Sequence, residues 1–247
     1  MRRLADRFGE AANNCASLLE LHALVSDASR ELGFDYFALL HHASLTCAGK
    51  QHVRLDNYPP AWVAELVDGG LCRQDPVHLA SRRTNAAFRW AELRTLIPLG
   101  SQQRRILERS RAFGLGEGLT VPVNVPGEPG GSCSFAVRGG RDLPYQRLRC
   151  AELVGVEAFR AARRLVDLPR RAPRPHLSRR ELQCLRLVAA GKTDWEISVI
   201  LGIGAETARQ YVKRARAAYD AVTRSQLILL SLRDDWLRIE DVLGPGG

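Results

Sequence analysis

The 247-residue sequence predicts an α+β protein, in which an N-terminal α/β/α sandwich with a central antiparallel sheet precedes an all-α domain. Short runs of alternating apolar residues lie between helical segments in the first two thirds of the chain, as in a sheet covered by helices. The last third carries helical periodicity only. Residues 168–176 contain three prolines and three arginines, which do not continue a helix. We therefore predict a first domain over residues 1–167, a linker over 168–176 and a second domain over 177–247.

The composition limits what the chain can do. Its 36 lysine and arginine residues exceed the 27 acidic residues by nine, a balance that favours an acidic partner. The six cysteines are scattered and form no C-x-x-C pair, so neither a disulfide framework nor a metal site is expected. No long apolar run could span a membrane, and the N-terminus lacks the apolar core of a signal peptide. We expect a protein that stays in the cytoplasm and binds no membrane.

The elements of the first domain follow from periodicity and from breaker residues. In the first predicted strand, Phe34, Tyr36, Ala38 and Leu40 should share one face, with Phe37 and Leu39 on the other. Glycines and prolines bound the remaining segments. The predicted helices cover residues 3–32, 61–68, 71–82, 101–113 and 142–166, and the predicted strands cover 34–41, 43–47, 52–55, 118–125 and 131–138.

The second domain is recognised by its helix starts. Ser178 with Glu181 and Thr193 with Glu196 fit the capping box, and Thr223 with Gln226 fits it again. A glycine-containing turn over residues 201–204 separates a short helix from a longer one that no proline or glycine interrupts. This arrangement predicts an all-α helix-turn-helix domain.

The longer helix has two different faces. Its apolar residues Ala208, Val212 and Ala215 recur at helical spacing, while the opposite face is polar and basic. A helix in the major groove needs side chains that reach base edges and cations that reach phosphates. Near its start Glu206, Arg209 and Gln210 suit the bases, and further along Lys213, Arg214 and Arg216 suit the phosphates. The alternative interpretation is a solvated basic surface helix.

The same segment resembles the LuxR-type DNA-binding domain over about fifty residues. Gly204 stands where that family usually has a serine cap, and Ala208 replaces the usual valine. The resemblance adds Thr193 and Thr207 to the expected DNA contacts. The matching motifs are Leu177-Ser178-Arg179-Arg180-Glu181, Ala190-Gly191-Lys192-Thr193, Leu201-Gly202-Ile203 and Glu206-Thr207.

A second set of residues suggests a small-molecule site in the first domain. Trp62 lies one helical turn beyond Tyr58, and Asp75 and Trp90 follow. An indole N–H donates, a phenol both donates and accepts, and a carboxylate accepts. Together they could hold an uncharged ligand with a carbonyl group and an amide N–H. The alternative is two core aromatic residues and an aspartate that caps a helix.

The region from residue 18 to 166 resembles the autoinducer-binding domain of quorum-sensing LuxR-type regulators. The motifs are Asn57-Tyr58-Pro59-Pro60-Ala61-Trp62, Asp75-Pro76-Val77, Phe88-Arg89-Trp90 and Gly118-Leu119-Thr120-Val121-Pro122. The resemblance implies an N-acyl-homoserine lactone as ligand and no other cofactor. It implies that Trp62 donates to the lactone carbonyl, Asp75 accepts from the amide N–H, and Tyr58 donates to an amide or acyl carbonyl. Trp90 would pack near the lactone ring, and Ser134 would add a hydroxyl.

One departure from that family concerns the pocket. Leu66 stands where a tyrosine is common, which makes the site more apolar and could change the ligand. The remaining expected residues are apolar wall residues. With Leu66 they are Tyr36, Ala38, Leu40, Val77 and Phe88.

We therefore expect a quorum-sensing transcription factor that binds a roughly palindromic DNA site as a homodimer, with RNA polymerase as a further possible partner. The alternative is an orphan LuxR-type regulator that answers a different small molecule or acts without one. A phosphorylated receiver is disfavoured, because alternating strands and helices with acidic strand ends are missing. An enzyme is not expected, since neither Cys72 with His78 nor His41-His42 with Asp35 lies in a catalytic motif.

Overall fold

The computed structural model describes residues 2–42, 53–67, 69–125, 130–166 and 174–243. The chain forms two compact units, Met1–Leu168 and Pro169–Gly247. The helices of the first unit are α1 (Arg2–Asn14), α2 (Leu18–Glu31), α3 (Pro60–Val67), α4 (Pro76–Ser81), α5 (Leu93–Leu96), α6 (Ser101–Ala112) and α7 (Leu148–Leu165). The strands are β1 (Tyr36–His41), β2 (Arg54–Asp56), β3 (Phe88–Arg89), β4 (Leu115–Val123) and β5 (Gly131–Arg138).

The strands form one sheet in the order β2-β1-β5-β4-β3, and every neighbouring pair is antiparallel. This confirms the predicted antiparallel sheet. The pairing places Asp56, Ala38, Ser134, Thr120 and Phe88 in one row across all five strands. Residues opposite each other on paired strands share a face, so this row lies on one side of the sheet.

The two faces of the sheet pack against different helices. Phe37, Leu39 and Phe135 face a large apolar core that includes residues of α1, α2 and α7. Ala38 and Leu40 face a second cluster, which contains Trp62 and Leu66 of α3 and Ile106 of α6. Helices on both faces make the α/β/α sandwich that the sequence predicts.

Some predicted bounds in the first unit are wrong. Phe34 packs with the helix-side core, 5.5 Å from the ring of Phe135, because the strand begins only at Tyr36 and alternation does not extend back past its start. The last helix begins at Leu148 and not at residue 142, since a residue before a proline, here Pro144, is disfavoured in helical conformation. The predicted strand over 43–47 lies outside the described residues.

The segment 71–82 is helical with a local helix start at Asp75-Pro76, as the sequence predicts. A 3₁₀ turn over Leu71–Gln74 is separated from α4 by Asp75, whose side chain accepts a hydrogen bond from the amide of Val77. Pro76 occupies the first turn of α4, where its missing N–H costs nothing. The aspartate therefore begins a new helix at this point.

The second unit is helical in its described part. Ser178 with Glu181, and Thr193 with Glu196, make both hydrogen bonds of the predicted capping box. Thr223 accepts from the amide of Gln226, but the Gln226 side chain accepts from Val222. The helices are α8 (Arg179–Ala189), α9 (Asp194–Leu201), α10 (Ala205–Ala218), α11 (Arg224–Arg233) and α12 (Ile239–Leu243).

The turn between α9 and α10 is the predicted glycine turn. Gly202 adopts the left-handed conformation (φ +63°), which a glycine reaches without steric cost, and this ends α9. Ala208 and Val212 of α10 pack with Ile197 of α9, so the two helices form the predicted helix-turn-helix. Leu227 of α11 is fully buried and closes the core.

Nowhere in the described ranges is a helix both long enough and apolar enough to cross a membrane.

Candidate functional site

A cavity of about 50 Å³ lies between the sheet and the helices α3, α4 and α6. The structure brings together nine of the eleven predicted pocket residues around this cavity. They are Tyr58, Trp62, Asp75, Trp90, Ser134, Ala38, Leu40, Leu66 and Val77.

The other two predicted wall residues do not line the cavity. Phe88 packs with Leu93 and Ile97 in a neighbouring cluster, because α5 and the residue after it cover the short edge strand β3. Tyr36 lies beside the cavity, with its ring edge-on to the ring of Tyr58 at 6.2 Å between centroids. Tyr36 thus packs against the pocket residue Tyr58.

The polar end of the cavity is a chain of hydrogen-bonded side chains. The indole Nε1 of Trp90 donates to Thr120 Oγ1 at 2.9 Å, and the hydroxyls of Thr120 and Ser134 are 2.9 Å apart. The phenol of Tyr58 bonds to Ser134. Burial, and then the carboxylates of Asp75 and Asp56, raise the pKa of Tyr58 far above its usual range, so it stays a neutral donor.

Thr120 is a functional candidate that the sequence did not reveal. It is fully buried, and its hydroxyl bonds both Trp90 and Ser134. Its position in the row of Ser134 follows from strand register, which the sequence does not give. Membership of the Gly118–Pro122 motif was the available signal.

Gly118 explains how Trp90 reaches this position. A Cβ atom on Gly118 would lie 2.5–2.8 Å from three carbon atoms of the Trp90 ring. Such contacts are far inside van der Waals distance, so the ring can lie on the strand only where no side chain is present. The glycine of the motif is therefore a requirement for packing.

Asp75 serves both of the roles that the sequence left open. Its Oδ1 accepts from the Val77 amide at 3.0 Å, as a helix cap does, while the residue also lines the cavity. Its Oδ2 lies 3.3 Å from Nδ1 of His78. A carboxylate has about four acceptor positions, so it can still accept from a ligand.

Trp62 offers a donor to the same space. The residue is 3% exposed, and no partner of its indole N–H is found among the described residues. Because Trp62 lines the cavity, its indole N–H is a natural donor to a ligand carbonyl. Its ring packs 5.9 Å from that of Phe113.

Three titratable residues of the cavity wall, besides Asp75, were not expected from the sequence. Arg54 and Asp56 of β2 line the cavity, as does His78. His42 stacks on His78 with ring centroids 4.7 Å apart and bonds to Ser132 through Nε2 at 3.0 Å. Burial, followed by the charges of His78 and Arg82, lowers the pKa of His42 to about 3, so it is neutral at physiological pH.

An ion pair joins the two helices that cover the cavity. Arg109 of α6 donates from Nε and from a terminal nitrogen to the two carboxylate oxygens of Glu65 on α3, at 2.6 and 2.5 Å. This pair holds the pKa of Glu65 below its usual value. The bidentate geometry fixes the spacing of α3 and α6.

The predicted DNA-contacting residues of α10 lie on one exposed face: Glu206, Thr207, Arg209, Gln210, Lys213 and Arg214. Glu206 pairs with Arg209 at 3.2 Å and accepts from Gln210 at 2.8 Å, so the three expected base-reading residues form one network. Thr193 is exposed, but its hydroxyl caps α9. The phosphate role expected for Arg216 is not supported, because its guanidinium bonds the carbonyls of Ala221 and Val222.

The catalytic combinations considered from the sequence are not assembled. His78 approaches the backbone carbonyl of Cys72 at 3.4 Å. Asp35 pairs with Arg141 and with the amide of Arg138. Within the described ranges no three or more histidine, cysteine, aspartate or glutamate residues cluster in a way that could hold a metal ion.

Comparison with known proteins identifies the families of both units. Residues 17–164 match the family model of the autoinducer binding domain, and residues 175–231 match that of the bacterial regulatory proteins of the luxR family. The regulatory protein SdiA of Escherichia coli is 27% identical over 84% of this chain and 86% of its own. The transcriptional activator protein LuxR of Aliivibrio fischeri is 22% identical over 87% of this chain and 86% of its own.

Solved structures show the same fold. A crystal structure of Escherichia coli SdiA is 25% identical, covers 95% of this chain and 96% of its own, and superposes with a TM-score of 0.61. The structure of SdiA in complex with octanoyl-rac-glycerol has 25% identity and a TM-score of 0.60, and covers 94% of this chain and 93% of its own.

Proposed function

The chain belongs to the luxR family of bacterial transcriptional regulators with an autoinducer-binding domain, and from that membership we propose that it binds an N-acyl-homoserine lactone and, as a dimer, promoter DNA. The family consists of regulators, which confirms the expectation that the protein is not an enzyme. One observation carries the ligand proposal. Tyr58, Trp62, Asp75, Trp90 and Ser134, far apart in sequence, line a single cavity.

The proposed ligand contacts follow from which polar groups of the cavity already have hydrogen-bond partners in the protein. Trp90 donates to Thr120, so it offers its ring face to the lactone ring. Trp62 donates to the lactone carbonyl. Asp75 accepts from the amide N–H of the ligand, and the neutral phenol of Tyr58, in concert with Ser134, donates to a carbonyl. A ligand that binds only the folded unit stabilises it by mass action.

The DNA proposal rests on the exposed face of α10. A homodimer would place two such helices about one DNA turn apart, over a roughly palindromic site. Arg209 and Gln210, held by Glu206, would contact base edges, while Lys213 and Arg214 would contact phosphates. Thr193 and Thr207 would add contacts at the helix starts. RNA polymerase would be the further partner of the bound dimer.

A second candidate keeps DNA binding but changes the ligand. Leu66 is buried in the cavity wall, where it supplies no hydroxyl. SdiA, a relative of similar length, has been solved with octanoyl-rac-glycerol, which has an ester and hydroxyl groups and no amide N–H. In this second candidate the ligand is an acylglycerol. The donor groups of the cavity bind its oxygen atoms, and Asp75 either only caps α4 or also accepts a hydrogen bond from a glycerol hydroxyl.

Thermal melting of the purified full-length protein separates these candidates. The protein is melted with acyl-homoserine lactones of varied chain length and with octanoylglycerol. Asp75→Asn is the informative variant, because asparagine keeps the cap to Val77 while it loses the charge. Asp142→Asn, at an exposed position outside the cavity, is the matched control.

A rise in melting temperature with some lactones that Asp75→Asn abolishes and Asp142→Asn keeps is the expected result. A rise with octanoylglycerol and with none of the lactones would favour the second candidate. A stable protein that shifts with neither would refute both ligand proposals.

A further inference from the structure

The edge strand β2 brings charge into the cavity wall. Arg54 and Asp56 are two residues apart, so they point to the same side of the sheet, and both line the cavity. Leu55, between them, packs into the core on the other side. The neighbouring wall residues Ala38 and Leu40 are apolar. A charged pair beside these apolar residues needs hydrogen-bond partners wherever a bound ligand excludes water from it.

The pair is only partly satisfied by itself. Arg54 Nε donates to Asp56 Oδ2 at 3.1 Å, and the side chains are 38% and 16% exposed. In the described part of the chain, the two terminal nitrogens of Arg54 have no hydrogen-bond partner. Beside the cavity, the guanidinium of Arg54 therefore has unused donors and the carboxylate of Asp56 has unused acceptor positions.

The pair lies on the edge strand, separated from the hydroxyls of Ser134 and Thr120 by intervening strands. Asp56, Ala38 and Ser134 occupy one row on neighbouring strands, so Asp56 is two strands away from Ser134. At a strand spacing of about 4.8 Å this is about 10 Å, and Arg54 lies further along the edge strand. A ligand whose head is bound at Ser134 and Asp75 can therefore reach Arg54 and Asp56 with an acyl group about 10 Å long.

We infer, resting on the proposed function, that this pocket selects a ligand whose acyl group ends in a hydroxyl. A hydroxyl can accept from Arg54 and donate to Asp56 at the same time, which matches both unused capacities of the pair. An alkyl end would strip water from the pair and return no hydrogen bond. A carboxylate end would face the carboxylate of Asp56.

The experiment compares ligands that differ only at the distal end. Octanoyl-, ω-hydroxyoctanoyl- and ω-carboxy-acyl homoserine lactones of equal length are titrated into the full-length protein by calorimetry. The same three acyl groups on glycerol form a second series, so the preference at the distal end is measured with two different head groups.

The ω-hydroxy ligand is expected to bind about tenfold more tightly than the plain octanoyl ligand, which corresponds to one hydrogen bond to a charged group. In Arg54→Leu with Asp56→Val, a double variant that leaves no unpaired charge, the order should reverse. Arg83→Leu, at an exposed position outside the cavity, should keep the wild-type order.

The inference is overturned if the plain octanoyl ligand binds as tightly as the hydroxylated one, if the carboxylate binds most tightly, or if the double variant keeps the preference. The head-group series separates this from the proposed function. A hydroxyl preference seen only among the glycerol ligands would refute the lactone proposal and support the inference. Binding of no ligand in either series would refute both.

Discussion

Replacing Thr120 with valine removes one hydroxyl from the hydrogen-bonded chain at the polar end of the cavity and leaves the shape of the side chain almost unchanged. That hydroxyl bonds both Trp90 and Ser134 at 2.9 Å, and the threonine is fully buried. A buried polar group left without a partner costs about 1–3 kcal/mol. Trp90 is only half-buried and Ser134 keeps its bond to Tyr58, so each of these two groups should cost an amount near the lower limit of that range. We expect a loss of about 2 kcal/mol.

For a unit of this size, about 2 kcal/mol lowers the melting temperature by about 4–8 °C. Differential scanning calorimetry of the full-length protein measures this. Thr95→Val is the matched control, because it removes the same atom from an exposed residue that bonds the carbonyl of Glu92. It should change stability by less than about 0.5 kcal/mol. Equal melting temperatures for the two variants would refute the structural role assigned to Thr120.

Three further outcomes are expected. The folded protein favours neutral His42, whose pKa falls to about 3 through burial and then His78 and Arg82, while the unfolded chain takes up the proton near 6.5. The free energy of unfolding should therefore fall as the pH drops from about 6.5 to about 3, by about 1.4 kcal/mol per pH unit. This fall should be less steep in His42→Gln and as steep as in the wild type in His176→Gln. Gly118→Ala should displace Trp90 and weaken ligand binding, whereas Gly9→Ala, with its nearest contact at 3.7 Å, should not; unchanged affinity in the former would contradict the packing. Arg209→Ala should relax base preference at one position of the operator, and Lys213→Ala should weaken binding to all sequences equally, both measured by fluorescence anisotropy.

The sequence predicted those elements that local chemistry determines. Capping boxes at Ser178 and Thr193, and the glycine turn at Gly202, are signals within a few residues, and the structure confirms all three. The antiparallel sheet followed from alternation in β4 and β5, which are eight or nine residues long. Alternation identifies the two faces of a strand only where it runs over at least about four residues.

That Arg54 and Asp56 line the cavity could not be predicted from the sequence. With only three residues, β2 is too short for alternation to identify a face, and which face points to the cavity depends on its pairing with β1. Thr120 raised the same problem, because its partners Trp90 and Ser134 are supplied by other strands and loops. Contacts that depend on the register between strands cannot be predicted from any single local segment.

Asp75 shows that a structural role and a binding role need not compete. The hydrogen bond from Val77 to Oδ1 begins α4 and fixes the rotation of the carboxylate. The second oxygen, 3.3 Å from His78, is thereby held at the cavity without further loss of side-chain freedom on binding. The cap already orders this acceptor, so a ligand N–H that meets it gains the bond at lower entropic cost than at a free side chain. This explains why one aspartate fits both interpretations that the sequence left open.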